Sequence, residues 1–128
     1  MLDQIKAKLI ELQTEDSACY GEKTIYGRVS MNNVPKSWNY ITFNRKRIKR
    51  AGTSLADFNE EYQVNLVHED YVPEEAVYEV ISKLLEITGL KLAPDDIDFN
   101  YLLKNKTDTV VEVATIVFSH PVKGYKKR

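Results

Sequence analysis

Five cations fill the stretch "RKRIKR": Arg45, Lys46, Arg47, Lys49 and Arg50, with Ile48 among them. Guanidinium and ammonium groups this dense suit either phosphate oxygens or carboxylates. An acid-only stretch follows. From Ala51 through Ser82 there is no Lys or Arg, while Asp57, Glu60, Glu61, Glu69, Asp70, Glu74, Glu75 and Glu79 all fall there. Opposite potentials on one chain can steer an association and fix its register. The cations are therefore candidates for contact with a partner or with nucleic acid, and Glu60, Glu61, Glu69, Asp70, Glu74 and Glu75 for an acidic subunit interface. A solvated hairpin tip is the plainer role for the run, and the sequence leaves solvent, partner protein and DNA open.

Other chemistries find less support. His68 and His120 lie far apart, and neither has a second ligand at helical or strand spacing, so no metal site is expected. Cys19 is the sole cysteine; no intramolecular disulfide or cysteine-based zinc cluster can form, and a thiol in a polar turn is the simpler reading. The doublets Glu60-Glu61, Glu69-Asp70, Glu74-Glu75 and Asp95-Asp96 each fit a solvated turn, strand edge or helix start. No P-loop, GxGxxG, GxSxG or HExxH occurs. The expectation is a protein without catalysis and without cofactor.

Composition bounds the rest. The 128 residues, 43% apolar and 29% charged, suit one folded domain with a real core. A net charge of −1 speaks against a dedicated nucleic-acid binder, because overall basicity normally supplies most nonspecific phosphate attraction. The N-terminus mixes charge among its apolar residues, so neither a signal peptide nor a membrane span is expected.

The elements that must hold these groups are legible from periodicity. Leu2, Ile5, Leu9 and Leu12 make one apolar stripe, predicting a helix over 2–13. "IYGRVSM" is a short strand candidate and "NNVPKSW" a turn. In "WNYITFN", Trp38, Tyr40 and Thr42 alternate with Ile41 and Phe43; in "FNEEYQVNLVHED", Tyr62, Val64 and Leu66 oppose Gln63 and Asn65. The period then becomes helical, with Val77, Val80, Ile81, Leu84, Leu85 and Thr88 on one side, Pro73, Glu74 and Glu75 at the start and Gly89 as a left-handed cap. "LKLAPDDID" reads as a loop. Ile97, Phe99, Tyr101 and Leu103 alternate next, "NKTD" turns, and "TVVEVATIVF" forms a central strand covered on both sides. The expected fold is α+β in a single domain over 1–128: an antiparallel or mixed sheet of four or five strands, two helices packed on one face, a core from 25 to 118 and a flexible basic tail over 120–128.

Three phrases carry a resemblance: "VPKSWNYITFNR", "YQVNLVHEDYVPEEAVYEVISKLLEITGLKLA" and "DFNYLLKNKTDTVVEVATIVFSH". Over roughly 34–120 the chain resembles the tail terminator or tail completion (head-tail joining) proteins of long-tailed bacteriophages and prophages. The resemblance implies a structural ring, commonly a hexamer, that caps the tail tube and offers a docking surface to the head completion or connector protein. Genomic DNA would pass through the lumen without sequence-specific binding. It implies a virion neck location, with assembly in the host cytoplasm, and no catalytic residues, cofactor or membrane. A head-side connector of the same neck, or a small nucleic-acid-binding module using the 45–50 run, are the alternatives. The cation run matches no motif of the family, so its role rests on physical argument.

Overall fold

A computed structural model describes residues 1–27, 39–50, 57–103 and 110–123. Trp38, the "NNVPKSW" turn, the "NKTD" turn and the last five residues of the basic tail lie outside the described residues.

The first helix, α1 (Leu2–Glu15), buries Ile5, Leu9 and Leu12 as the stripe requires and runs two residues past the expected end. It stops at Asp16, whose extended backbone breaks the helix and whose carboxylate accepts from the Cys19 amide at 3.2 Å to start the single turn α2 (Ser17–Tyr20). The Gln13 side chain donates to the Tyr20 and Lys23 carbonyls at 3.2 and 2.6 Å, tying this corner to α1. Tyr20 is buried and its hydroxyl donates to Glu79 at 2.7 Å, joining α2 to α3 (Glu74–Leu84).

In α3 the start is as read: Pro73 precedes the helix, and Glu74 and Glu75 face the positive end of its dipole. Its end is not. After Leu84 the chain tightens into three-residue turns, with Ile87 bonding back to Leu84 and Leu90 to Ile87. This changes the angular phase, so Ile87 and Leu90 are buried while Leu85 and Thr88 face solvent. Gly89, at φ +87°, serves that later turn rather than the helix terminus.

Among the described residues six strands form one mixed sheet: β1 (Thr24–Tyr26), β2 (Tyr40–Arg50), β3 (Phe58–His68), β4 (Lys91–Leu92), β5 (Asp98–Leu103) and β6 (Val110–Val122). The order is β1-β2-β3-β6, with β4 and β5 end to end along the far side of β6; β1 is parallel to β2 and every other pair is antiparallel. The architecture is the expected α+β fold with a mixed sheet, to which the stretch "LKLAPDDID" adds the two-residue β4. β6 also continues through His120, Pro121 and Val122, paired to β3, where the sequence suggested a loose tail.

Both helices with an apolar stripe pack on one face of the sheet, over Ile41, Phe43, Tyr62, Val64, Leu66, Ala114, Ile116 and Phe118. The other face holds a small cluster of Ile25, Tyr40, Val67 and Val111, and beside it a polar row across three strands. There Asn65 donates to Thr42 at 3.1 Å and accepts from Thr115 at 2.8 Å. The row satisfies its own donors and acceptors, which is what a partly covered sheet face needs.

Candidate assembly surface

The cation run is a strand. Arg45 to Arg50 form the outer half of β2, in register with β3 down to Arg50 opposite Phe58, rather than the loop that a charge cluster suggests. Residues 45–50 are all exposed, and that explains the composition: this half of the strand leaves the core behind. A bulge at Lys46 interrupts the register, Arg45 opposing Tyr62 and Arg47 opposing Glu61. It places Arg47 on the face that Lys46 would otherwise occupy.

The consequence is an internal ion-pair network. Glu61 is buried, and its carboxylate accepts from Arg47 Nε at 2.6 Å with Lys49 Nζ at 3.9 Å. Lys46, released by the bulge, reaches Asp95 at 2.7 Å, and a guanidinium nitrogen of Arg47 stands 4.0 Å from the same carboxylate. The Asp95 carboxyl is held below its ordinary range, first by the Lys46 hydrogen bond. Arg45 and Arg50 make no ion pair among the described residues. Lys46, Arg47 and Lys49 thus share two carboxylates, and with Arg45 and Arg50 the strand end keeps a positive surplus.

The six acidic candidates do not form one patch. Glu60 and Glu61 lie beside the cations near the start of β3. Glu69 and Asp70 follow its other end, and Glu74 and Glu75 open α3. Glu60 accepts from the Tyr62 hydroxyl at 3.1 Å and lies 2.9 Å from His120 Nδ1. The histidine contact, more than the tyrosine, holds the Glu60 carboxyl below its ordinary value of 4.5; burial, with Glu60 beside it, pushes Tyr62 up to about 12. Glu69 donates its amide to Asn39 Oδ1 at 3.2 Å, which fixes the end of β3 to the start of β2.

Cys19 and His68, two side chains with catalytic potential, sit in partly and fully buried surroundings. Burial pushes the Cys19 thiol up, and Asp16 and Glu79 add to it, so the thiolate is disfavoured. His68 is buried with Nε2 unpaired; desolvation lowers its pKa, partly offset by a hydrogen bond to the Cys19 backbone. Among the described residues no group of three or more His, Cys, Asp or Glu is placed to hold a metal ion, and no helix is long and apolar enough to cross a membrane.

Sequence reasoning missed the second exposed region. Every residue of β5 is exposed, including Phe99, Tyr101, Leu102 and Leu103. Alternation identified this strand but could not show that α3 stops short of covering it. A groove of about 570 Å³ separates β5 from the segment Tyr71–Glu75.

No protein-family model matches the sequence, and no curated protein matches it. Among solved structures, a chain from the virion of a native gene transfer agent (GTA) particle aligns over 93% of this chain and 94% of its own, with 14% identity and a TM-score of 0.48. A second solved chain aligns over 99% of both, with 15% identity and a TM-score of 0.45. Likeness at this level speaks to neither family nor activity.

Proposed function

We propose that this chain is a non-catalytic structural protein of a phage or phage-like virion neck, a tail terminator that caps the tail tube as a ring of about six copies and receives the head completion complex. The observation that carries the reading is the pair of exposed borders on one sheet, a cationic end of β2 and an apolar β5. Dissimilar borders suit the head-to-tail contacts of a closed ring. The sequence resemblance over roughly 34–120 supplies the tail-terminator role.

The nucleic-acid reading loses support from the ion pairs. Arg47 and Lys49 share Glu61, and Lys46 is spent on Asp95, leaving Arg45 and Arg50 to meet phosphates. From the run alone, two phosphate contacts give a log–log salt slope of about −2, shallow beside that of a dedicated duplex binder. Negative-stain images of the purified protein, alone and with tail-tube protein, test the proposal together with a salt titration of duplex binding. Rings seated on tube ends are expected. A monomer in both preparations, or tight DNA binding with a steep salt slope, overturns it.

A further inference from the structure

Edge strands are normally blunted by charge, proline or cover, because their apolar side chains and free backbone groups invite pairing. β5 has none of these over its own length except Asp98. Its register with β6 puts Phe99 opposite Ala114 and Tyr101 opposite Glu112, on the face that the helices cover elsewhere. There Tyr101 is 62% exposed, and Tyr71, across the groove, is 70% exposed. A contiguous apolar patch of this kind marks an interaction site.

The groove also selects by charge. Glu74 and Glu75 stand on its rim, and the floor carboxylate, Glu112, accepts from the Val72 amide at 2.8 Å and from the Tyr101 hydroxyl. No cation lines it. Aromatic walls with a carboxylate rim suit guanidinium and ammonium groups whose aliphatic stems lie on the rings. A segment of that chemistry stands on the same chain, in Arg45 to Arg50, with Ile48 exposed at its middle.

That segment cannot fill the groove of its own subunit. The end of β2 pairs with residues of β3 that meet β6 at 118–122, whereas β5 pairs with 110–115, three strands over from β2 and at the other end of β6. A neighbour can supply it. Because β2, β3, β6 and β5 alternate in direction, β2 and β5 run antiparallel, so a copy in the same orientation, displaced along the strands until its 45–50 lies level with 98–103, brings one to the other in the usual antiparallel sense. We propose that the groove between β5 and the start of α3 receives the basic end of β2 from a second copy of this chain. The contact is heterologous, so it propagates until a ring closes. This inference rests on the ring reading above and specifies the surfaces that meet.

The test separates donor from acceptor. A donor variant carries Arg45→Ser, Lys49→Ser and Arg50→Ser; an acceptor variant carries Tyr101→Ser and Glu75→Gln; denaturation midpoints check that both fold. In native mass spectrometry and sedimentation velocity, each variant alone is expected to lose self-association by about tenfold or more in apparent Kd. Mixed one to one, they should stop at a heterodimer, because one intact donor meets one intact acceptor. Wild-type rings with unaffected acceptor variants would overturn the inference while leaving the ring reading in place. So would a mixture that regains full-size assemblies, or acceptor variants that form rings but fail to bind tail-tube protein. A wild-type protein that never associates with itself, even at high concentration, overturns it as well, and incorporation into particles then judges the neck reading separately.

Discussion

The hairpin of β2 and β3 has one continuous backbone ladder but two kinds of side-chain support. At its base Tyr40 to Phe43 pair with Val64 to Val67, and nearly every side chain there is buried between the helices and the small cluster on the other face. At its tip Arg45 to Arg50 pair with Phe58 to Tyr62, and the side chains are held by Arg47–Glu61, Lys46–Asp95 and Glu60–His120. Apolar burial contributes in proportion to area and is indifferent to salt, whereas exposed ion pairs contribute little and are screened. The base therefore holds the fold, and the tip is free to serve contact.

The sharpest break should come at the base, through Gly21. It sits at φ +75°, and an added Cβ would collide with the backbone carbonyl of Asn39, the residue just before β2. No rotamer relieves a backbone collision, so Gly21→Ala should cost about 4 kcal/mol or more, or abolish folding. Leu66→Ala and Leu84→Ala, both in the same core cluster, should each cost about 2–5 kcal/mol in urea denaturation. Costs below about 1 kcal/mol would mean that the base is not the anchor.

At the tip the largest stability effect belongs to Glu61, the one buried carboxylate there. Its partner Arg47 is 47% exposed, so water can take over much of the interaction. Glu61→Gln should therefore cost about 1–2 kcal/mol, less than a fully buried pair would. A loss as large as that of Leu66→Ala would erase the contrast between base and tip.

Acid should find the tip first. Because the Glu60 carboxyl is held below 4.5 in the folded protein, its contribution is complete above that value and fades as pH falls through the lower folded-state pKa. Glu60→Gln should flatten the acid side of the stability–pH profile below about pH 4.5 and leave the curve above pH 6 parallel to wild type. An unchanged acid limb would show that the His120 and Tyr62 contacts do not bias this carboxyl.

Periodicity made the base legible: alternation placed Ile41, Phe43, Tyr62, Val64 and Leu66 on one face, and the helical spacing of Leu2, Ile5, Leu9 and Leu12 set α1 against them. It failed where an apolar or charged pattern does not report its neighbours. A run of cations looks like a loop, yet strand pairing is a backbone property, and an exposed strand accepts Arg and Lys at every position. The bulge at Lys46 leaves no trace in residue type, so the partnership of Arg47 with Glu61 and of Lys46 with Asp95 was hidden, and one of the six acids offered for a subunit interface, Glu61, meets the chain's own cations. The apolar alternation of β5 was readable, but its exposure depends on where α3 ends.

The smallest effect on stability is expected where the fold asks least of a side chain. Arg45 and Arg50 are exposed and make no ion pair among the described residues, so each gives up little when removed. The double variant Arg45→Ser and Arg50→Ser should keep its denaturation midpoint to within about 0.5 kcal/mol in folding free energy. Raising salt should likewise leave the wild-type midpoint nearly still, since the base carries the stability. Self-association, by contrast, should weaken in both cases, because removing a rim charge and screening it both reduce the same attraction. Sedimentation velocity beside urea denaturation on one sample separates the two quantities. A variant that loses stability in step with association would show these arginines to be structural, and the tip would then belong with the base.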